Sequence, residues 1–179
     1  QYTKKAAESL NKHDIKIDVI PNFVNFNNFH PIDKKLFIND FIYKESDIIL
    51  LTLSRLVKRK GHRTVIKALK PLISKNPNIF YLIAGTGDKS YEIELKNYVK
   101  QLNLEKNINF LGYISEAKKN IIYNLCDIYI MTSMQTDERG DCEGFGITYL
   151  EANACGKPVI GTNVGGISDA INNGCLLYT

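Results

Sequence analysis

The sequence predicts an α/β fold, in which a parallel sheet carries helices on both of its faces. Apolar runs alternate with amphipathic stretches along its 179 residues. The apolar runs are continuous, which is typical of parallel strands because helices cover both faces of such a sheet. Strands and helices that alternate in this way are joined by right-handed crossovers.

Five apolar runs are predicted as strands, at 48–53, 79–84, 108–111, 127–132 and 158–161. Between them, amphipathic stretches predict helices at 62–75, 91–102, 116–126 and 145–154. Ser115 is the expected N-cap of the third of these helices, and Gly156 is the expected C-cap of the fourth.

The two ends differ from the α/β pattern. Residues 1–14 predict a short polar helix and 15–20 a strand, followed by the turn signal Pro21-Asn22. At the other end, residues 167–172 begin a helix, and 176–178 could begin a sixth strand.

Composition and charge exclude several classes of protein. The chain is 44% hydrophobic and 23% charged, and no apolar run approaches the roughly 20 residues that span a bilayer. A net charge of +4 is mild, and the basic residues around Arg59 have no interleaved aromatics, so nucleic acid is not an expected partner. The four cysteines contain no CxxC pair, and we interpret them as reduced structural thiols of a cytosolic protein.

Basic and glycine residues follow the first two strands, where an open parallel sheet binds its ligands. Arg55 and Lys60 suit a diphosphate, because one offers a forked guanidinium and the other a mobile ammonium. Lys58 and Arg59 between them are interpreted as solvated charges. Gly85 and Gly87 allow either a tight turn or the close approach of a ligand, and the sequence leaves both open. No strand is followed by GxGxxG, which argues against a nicotinamide or flavin dehydrogenase.

The most informative segment is EGFGITYLEANACGKPVI, at residues 143–160. Glu143 precedes Gly144, Phe145 and Gly146 at the expected start of a helix, where unpaired amides and the helix dipole attract anions. A carboxylate there can accept hydrogen bonds from sugar hydroxyls, and Glu151, two helical turns further on, can reach another part of the same ligand. The segment therefore indicates a nucleotide-sugar site.

Two further loops complete the predicted edge of the sheet. Gly165 and Gly166 follow the fifth strand and are a second candidate amide cradle, with a plain turn as the alternative. Asp137, Glu138 and Asp141 follow the fourth strand, and we expect this loop to shape a pocket rather than to bind a divalent ion.

These residues resemble the C-terminal, donor-binding domain of family-4 retaining glycosyltransferases, which have two facing Rossmann-like domains, the GT-B fold. The resemblance covers about residues 17–172 and rests on motifs that occur in the family's order: Ile20-Pro21-Asn22, residues 55–61, Gly112, residues 143–158 and Gly165-Gly166. It implies that residues 1–20 are the tail of an N-terminal acceptor domain with its linker. It also implies that residues 21–179 are the donor-binding domain, ending before the last strand and helices.

The resemblance assigns roles to the candidate residues. Arg55 and Lys60 would bind the donor diphosphate, and Glu143 would hold hydroxyls of the transferred sugar. Amides of Phe145 and Gly146 would meet sugar or phosphate oxygens, and Glu151 would bind the ribose. Ser54 stands where the family usually has glycine, and the run at 140–146 is similar to that of members using GDP-mannose. No metal or other cofactor is implied.

The implied activity is the transfer of a hexose from GDP-mannose or a UDP-sugar to a lipid, glycan or small-molecule hydroxyl, with retention of configuration. A cytoplasmic location is expected, with peripheral membrane association where the acceptor is a lipid. Two alternatives stay open: a sugar-nucleotide epimerase or phosphorylase on the same scaffold, and a non-catalytic nucleotide-binding module.

Overall fold

The computed structural model describes residues 2–10, 16–135 and 143–171, and within them five parallel strands form one sheet in the order β3-β2-β1-β4-β5. The α/β fold predicted from the sequence is confirmed. The strands are β1 (Ile48–Leu53), β2 (Ile79–Ala84), β3 (Ile108–Gly112), β4 (Ile128–Met131) and β5 (Val159–Gly161). The helices are α1 (Tyr2–Leu10), α2 (His62–Lys75), α3 (Lys89–Gln101), α4 (Glu116–Leu125), α5 (Ile147–Ala154) and α6 (Ile167–Ala170), with 3-10 turns at Lys34–Leu36, Ile38–Asp40 and Lys58–Lys60.

The sheet is buried on both faces, each by its own helices. Successive side chains of β1 point to opposite faces, so Ile49 and Leu50 belong to different apolar clusters. The cluster of Ile49 includes Tyr123 of α4 and Tyr149 of α5. The cluster of Leu50 includes residues of α2 and α3, among them Leu95. Helices α2 and α3 therefore cover one face, and α4 and α5 cover the other.

The starts of two helices differ from the prediction for reasons of capping. Helix α3 begins at Lys89 rather than at residue 91, because the Asp88 side chain accepts hydrogen bonds from the amides of Ser90 at 2.8 Å and Tyr91 at 3.4 Å. Helix α5 begins at Ile147 rather than at residue 145, because Gly146 has a φ of 85° and cannot belong to a right-handed helix.

The predicted start of α4 and the predicted end of α5 are close to those observed. Ser115 precedes α4 in extended conformation, although its side chain makes no capping hydrogen bond. Gly156 follows α5 with a φ of 73°, and its amide donates to the carbonyl of Asn153 while the amide of Lys157 donates to that of Ala152. This is the Schellman pattern, so the predicted glycine stop is confirmed.

The strand predicted at 15–20 is wrong for the residues that the structure describes. Residues 16–20 have no regular secondary structure, and Ile20 is 89% exposed. No strand of the described sheet pairs with this segment, so its apolar alternation has no ladder and no core to face. Residue 15, the helix expected at 11–14, the acidic residues at 137, 138 and 141, and the possible strand at 176–178 lie outside the described residues.

Candidate functional site

The candidate site lies where the strand order reverses direction. Strand β1 is paired with β2 on one side and with β4 on the other, so the loops that follow β1 and β4 leave the same edge of the sheet side by side. In open α/β sheets this is the place where ligands bind. The turn Lys58–Lys60 belongs to the first loop and Glu143 to the second.

An ion-pair cluster connects these two loops. The ammonium of Lys60 contacts Oε2 of Glu143, and a guanidinium nitrogen of Arg59 lies 3.4 Å from the same oxygen. The side chains are 11%, 10% and 12% exposed for Lys60, Arg59 and Glu143, so the cluster is almost out of solvent. Ser133 Oγ lies 3.5 Å from Glu143 Oε2. A carboxylate and two cations are thus concentrated at the sheet edge.

The environment shifts the protonation of Lys60. Burial lowers the pKa of its ammonium below the usual value, and the neighbouring charges of Arg59 and Arg55 act in the same direction. The hydrogen bond and charge of Glu143 oppose them. Any further anion near Lys60 would therefore favour its charged form.

Gly61 holds the turn of Arg59 and Lys60 against the end of β4. It ends the 3-10 turn with a φ of 73°, and a Cβ there would lie 1.9 Å from the carbonyl oxygen of Thr132. Thr132 Oγ1 donates to the Gly61 carbonyl at 3.0 Å, and the Met134 amide donates to the Arg59 carbonyl at 2.7 Å. The two loops are therefore joined by main-chain packing as well as by charge.

Gly165 and Gly166 position Glu143. The Gly166 amide donates to the Glu143 carbonyl at 2.7 Å, and a Cβ on Gly166 would lie 2.0 Å from the carbonyl oxygen of Gly144. The expectation of an open amide cradle is therefore wrong for the Gly166 amide, which is already bonded within the chain. A donor contact by these glycines stays a prediction.

Gly144 is the open part of the site, whereas Gly146 is buried against Tyr149. Gly144 is exposed, and a Cβ there would meet nothing within 4 Å. In the part of the chain that the structure describes, no hydrogen bond is made by the amides of Phe145 and Gly146. A groove of about 780 Å³ lies beside Gly144 and Phe145, and residues 17–22 and α1 line its other side. The free space at Gly144 therefore lies next to two amides that have no hydrogen-bond partner among the described residues.

Gly85 and Gly87 support the loop of Arg55. A Cβ on Gly85 would lie 2.0 Å from the Ser54 carbonyl oxygen, and one on Gly87 would lie 2.4 Å from that of Leu56. Both glycines therefore permit close packing against the loop after β1. This packing fits the tight turn, one of the two alternatives that the sequence left open, and it does not exclude the other. Arg55 itself is exposed, and any contact of these glycines with a donor stays a prediction.

Glu151 lies further down α5 and is 6% exposed. The Tyr123 hydroxyl donates to its Oε2 at 2.6 Å, and the Lys119 ammonium lies 3.7 Å from its Oε1. Burial raises the pKa of Tyr123 well above its usual value, so the phenol keeps the proton that it donates. Glu151 is thus anchored on α4 and is not part of the cluster around Glu143.

Several residues of the site were missed or misread from the sequence. Arg59, interpreted as a solvated charge, is buried beside Glu143, whereas Lys58 is exposed as expected. His62 is fully buried, and its Nε2 lies 3.1 Å from Ser54 Oγ, the residue that stands in place of the usual glycine. A run of basic residues gives no signal that tells a buried charge from an exposed one.

Burial and the neighbouring Lys60 lower the pKa of His62 to about 4. Its imidazole is therefore neutral at pH 7. Cys126 and Cys155 are free buried thiols, as expected, and burial raises their pKa values to about 12 and about 11. Cys142 and Cys175 lie outside the described residues.

Neither a membrane-spanning helix nor a metal-binding cluster is found in the described ranges. No helix at 2–10, 16–135 or 143–171 is long and apolar enough to cross a bilayer. The same ranges contain no group of three or more histidine, cysteine or acidic side chains placed to hold a metal ion. The expectation that no metal is required stays a prediction.

Fold and site together define a Rossmann-like domain with a cationic, glycine-rich edge. Residues 33–176 match the family described as Glycosyl transferases group 1, and the chain belongs to this family. It is 30% identical over 174 residues to the GDP-mannose-dependent monoacylated alpha-(1-6)-phosphatidylinositol monomannoside mannosyltransferase of Corynebacterium glutamicum. That match covers 96% of this chain and 45% of the relative, so the chain spans less than half of the relative's length.

Solved structures show the same fold. The Anabaena protein HepE, in complex with UDP and glucose, matches with a TM-score of 0.76 and 25% identity, over 90% of this chain and 43% of that one. The C-terminal domain of a group 1 glycosyl transferase from Francisella tularensis matches with a TM-score of 0.73 and 26% identity, over 87% of this chain and 80% of that domain. The predicted GT-B relationship is confirmed.

Proposed function

We propose that this chain is the donor-binding half of a retaining glycosyltransferase. The enzyme transfers a hexose from GDP-mannose or a UDP-sugar to a hydroxyl of a lipid, a glycan or a small molecule. The observation that carries the proposal is the cluster of Lys60, Arg59 and Glu143 beside the exposed Gly144, at the edge where β1 and β4 meet. The relatives whose names state GDP-mannose or whose structures hold UDP support it.

The donor's diphosphate is bound by Arg55 and Lys60. Arg55 is exposed at the end of β1 and Lys60 lies in the turn that follows, so both cations can reach an anion at the sheet edge. A forked guanidinium and a mobile ammonium together match the oxygens of a diphosphate. The amides of Phe145 and Gly146, which have no partner within the described ranges, lie in front of α5 and add donors and the positive end of a helix dipole.

The sugar and the ribose are held by the two glutamates. Glu143 precedes the open space at Gly144, where its carboxylate accepts hydrogen bonds from sugar hydroxyls. Glu151 keeps Oε2 on Tyr123, so the ribose binds at Oε1 and displaces the Lys119 ammonium, now 3.7 Å away.

Catalysis is electrostatic. Arg55, Lys60 and the amides before α5 stabilise the negative charge that develops on the departing diphosphate. The acceptor hydroxyl attacks from the face that the diphosphate leaves, which retains the anomeric configuration. This chemistry requires no metal. The acceptor is bound by a separate domain, so the 179-residue chain binds the donor and does not transfer the sugar alone.

A thermal-shift panel tests this proposal. GDP, UDP, GDP-mannose and UDP-glucose are each added to the chain, with AMP as the control nucleotide. A ligand that binds only the folded state raises the melting temperature, by an amount equivalent to about 2.7 kcal/mol at a hundredfold excess over Kd. We expect a GDP or UDP compound to stabilise the chain and Lys60→Ala to abolish the shift, while the exposed Lys58→Ala retains it. The absence of any shift would contradict the proposal.

A further inference from the structure

Arg59 is buried and paired with a carboxylate, unlike an ordinary residue of a basic surface loop. Its side chain is 10% exposed, and its neighbour Lys58 in the same turn is exposed. The Arg59 carbonyl is fixed by the Met134 amide at 2.7 Å, and the guanidinium reaches the Glu143 oxygen that Lys60 also contacts. Arg59 and Lys60 therefore share one carboxylate oxygen from adjacent positions in a rigid turn.

Glu143 and the donor diphosphate compete for the ammonium of Lys60. The Lys60 ammonium contacts Oε2 of Glu143. Among the described residues, two cations contact the Glu143 carboxylate, which is 12% exposed, and a diphosphate that takes the Lys60 ammonium removes one of them. A buried carboxylate without a counter-charge is strongly unfavourable. The exchange is therefore feasible only if another cation stays with Glu143.

We infer that Arg59 is a positioning residue that keeps Glu143 paired while Lys60 moves to the donor diphosphate, an inference that rests on the proposed function. Arg59 is suited to this task because its guanidinium is always charged and its turn is fixed against residues 132–134. It acts through Glu143 and need not touch the donor. The Glu143 carboxylate then keeps its orientation toward the sugar hydroxyls.

The inference makes a distinct prediction about binding of the diphosphate without its sugar. In Arg59→Met, the release of Lys60 leaves Glu143 unpaired, so GDP or UDP must bind against that cost. Removing the charge of Glu143 as well removes the cost. A contact between Arg59 and the diphosphate, or a general loss of positive charge, has no such dependence on Glu143.

A double-mutant cycle by isothermal titration of the chain with GDP and with UDP tests this. We expect Arg59→Met to weaken binding of the nucleoside diphosphate about tenfold or more, which is the scale of a lost buried partner. Glu143→Gln combined with Arg59→Met should bind within about threefold of Glu143→Gln alone. Arg59→Lys should recover most of the affinity, because it restores the charge.

The matched control is Lys58→Met, which removes the same charge from the exposed neighbour. It should change affinity less than about twofold and by the same factor with or without Glu143→Gln. If Arg59→Met weakens binding equally in both backgrounds, or no more than Lys58→Met does, the inference is overturned. If the unaltered chain binds neither GDP nor UDP, the proposed function fails and the inference falls with it. Urea unfolding of each variant identifies a loss of affinity that comes from a loss of folding.

Discussion

Replacement of Gly61 by alanine is predicted to damage both the fold and the site. Gly61 has a φ of 73°, and a Cβ there would lie 1.9 Å from the Thr132 carbonyl oxygen and 2.4 Å from its Oγ1. Gly112 is a matched control, because its φ is 68° but a Cβ there would meet nothing within 4 Å. The two substitutions share the cost of the left-handed conformation and differ in the steric overlap.

The expected losses of unfolding free energy follow from the cost of the left-handed conformation and the cost of the steric overlap. A left-handed conformation costs a residue with a Cβ about 1–2 kcal/mol, and this is the full expected loss for Gly112→Ala. Overlap with a fixed backbone adds about 1–3 kcal/mol, so Gly61→Ala should lose about 2–5 kcal/mol of unfolding free energy. Because the Lys60 turn must move away from Thr132, Gly61→Ala should also weaken GDP or UDP binding.

The assay is urea unfolding at 25 °C, followed by titration of the folded variants with GDP and UDP. A chain of this size loses roughly 2–4 °C of melting temperature for each kcal/mol, so thermal melts give an independent reading. Our explanation of how the two loops are joined is wrong if Gly61→Ala destabilises the chain no more than Gly112→Ala. It is also wrong if Gly61→Ala binds the nucleotides normally.

Three other changes are expected to separate stability from binding. Gly144→Ala should alter the unfolding free energy by less than about 0.5 kcal/mol, because a Cβ at this position meets no atom within 4 Å. In titrations, the same substitution should weaken the binding of GDP-mannose or UDP-glucose more than it weakens the binding of GDP or UDP. Tyr123→Phe removes the donor to the buried Glu151 and should cost about 1–3 kcal/mol in urea, whereas Tyr113→Phe, at a residue 74% exposed, should cost almost nothing. Burial lowers the pKa of His62 from its usual value of 6.5 to about 4, so between these values the unfolded chain binds a proton that the folded chain does not, and stability falls as the pH drops. His62→Gln should remove about 3 kcal/mol of that fall between pH 6.5 and pH 4, and unfolding curves of equal pH dependence in both proteins would refute the assignment.

The strands were predictable because a fully buried parallel strand leaves a continuous apolar run. All five lie within one residue of their predicted ends. The same reasoning failed at 15–20, where the apolar alternation has no neighbouring strand. A pattern of side chains reports what a segment could bury, and it carries no information about whether a partner strand is present.

The site was predictable in its residue types and its location, and less so in its contacts. Carboxyl ends of parallel strands share one edge, so the sequence placed Lys60 and Glu143 at the same end of the sheet. The burial of Arg59 depends on the packing of Gly61 against Thr132, a contact between residues 71 positions apart that no local pattern encodes. The glycines at 165 and 166 pack tightly against Glu143 and Gly144, a contact that the sequence offers no means to foresee, and their contact with a donor stays a prediction.

The pairing of Lys60 with Glu143 joins positions 83 residues apart, and this has a consequence for biosynthesis. Strands β1, β2 and β3 can pair as soon as residues 48–112 have left the ribosome, but the carboxylate that neutralises the basic turn is synthesised much later. Until then the nascent chain holds clustered cations with no Glu143 to offset their repulsion. Nucleotide affinity should therefore be acquired only after the first strands have formed, and ribosome-stalled chains that end before residue 143, which lack the amides of Phe145 and Gly146 and helix α5, should bind no GDP or UDP.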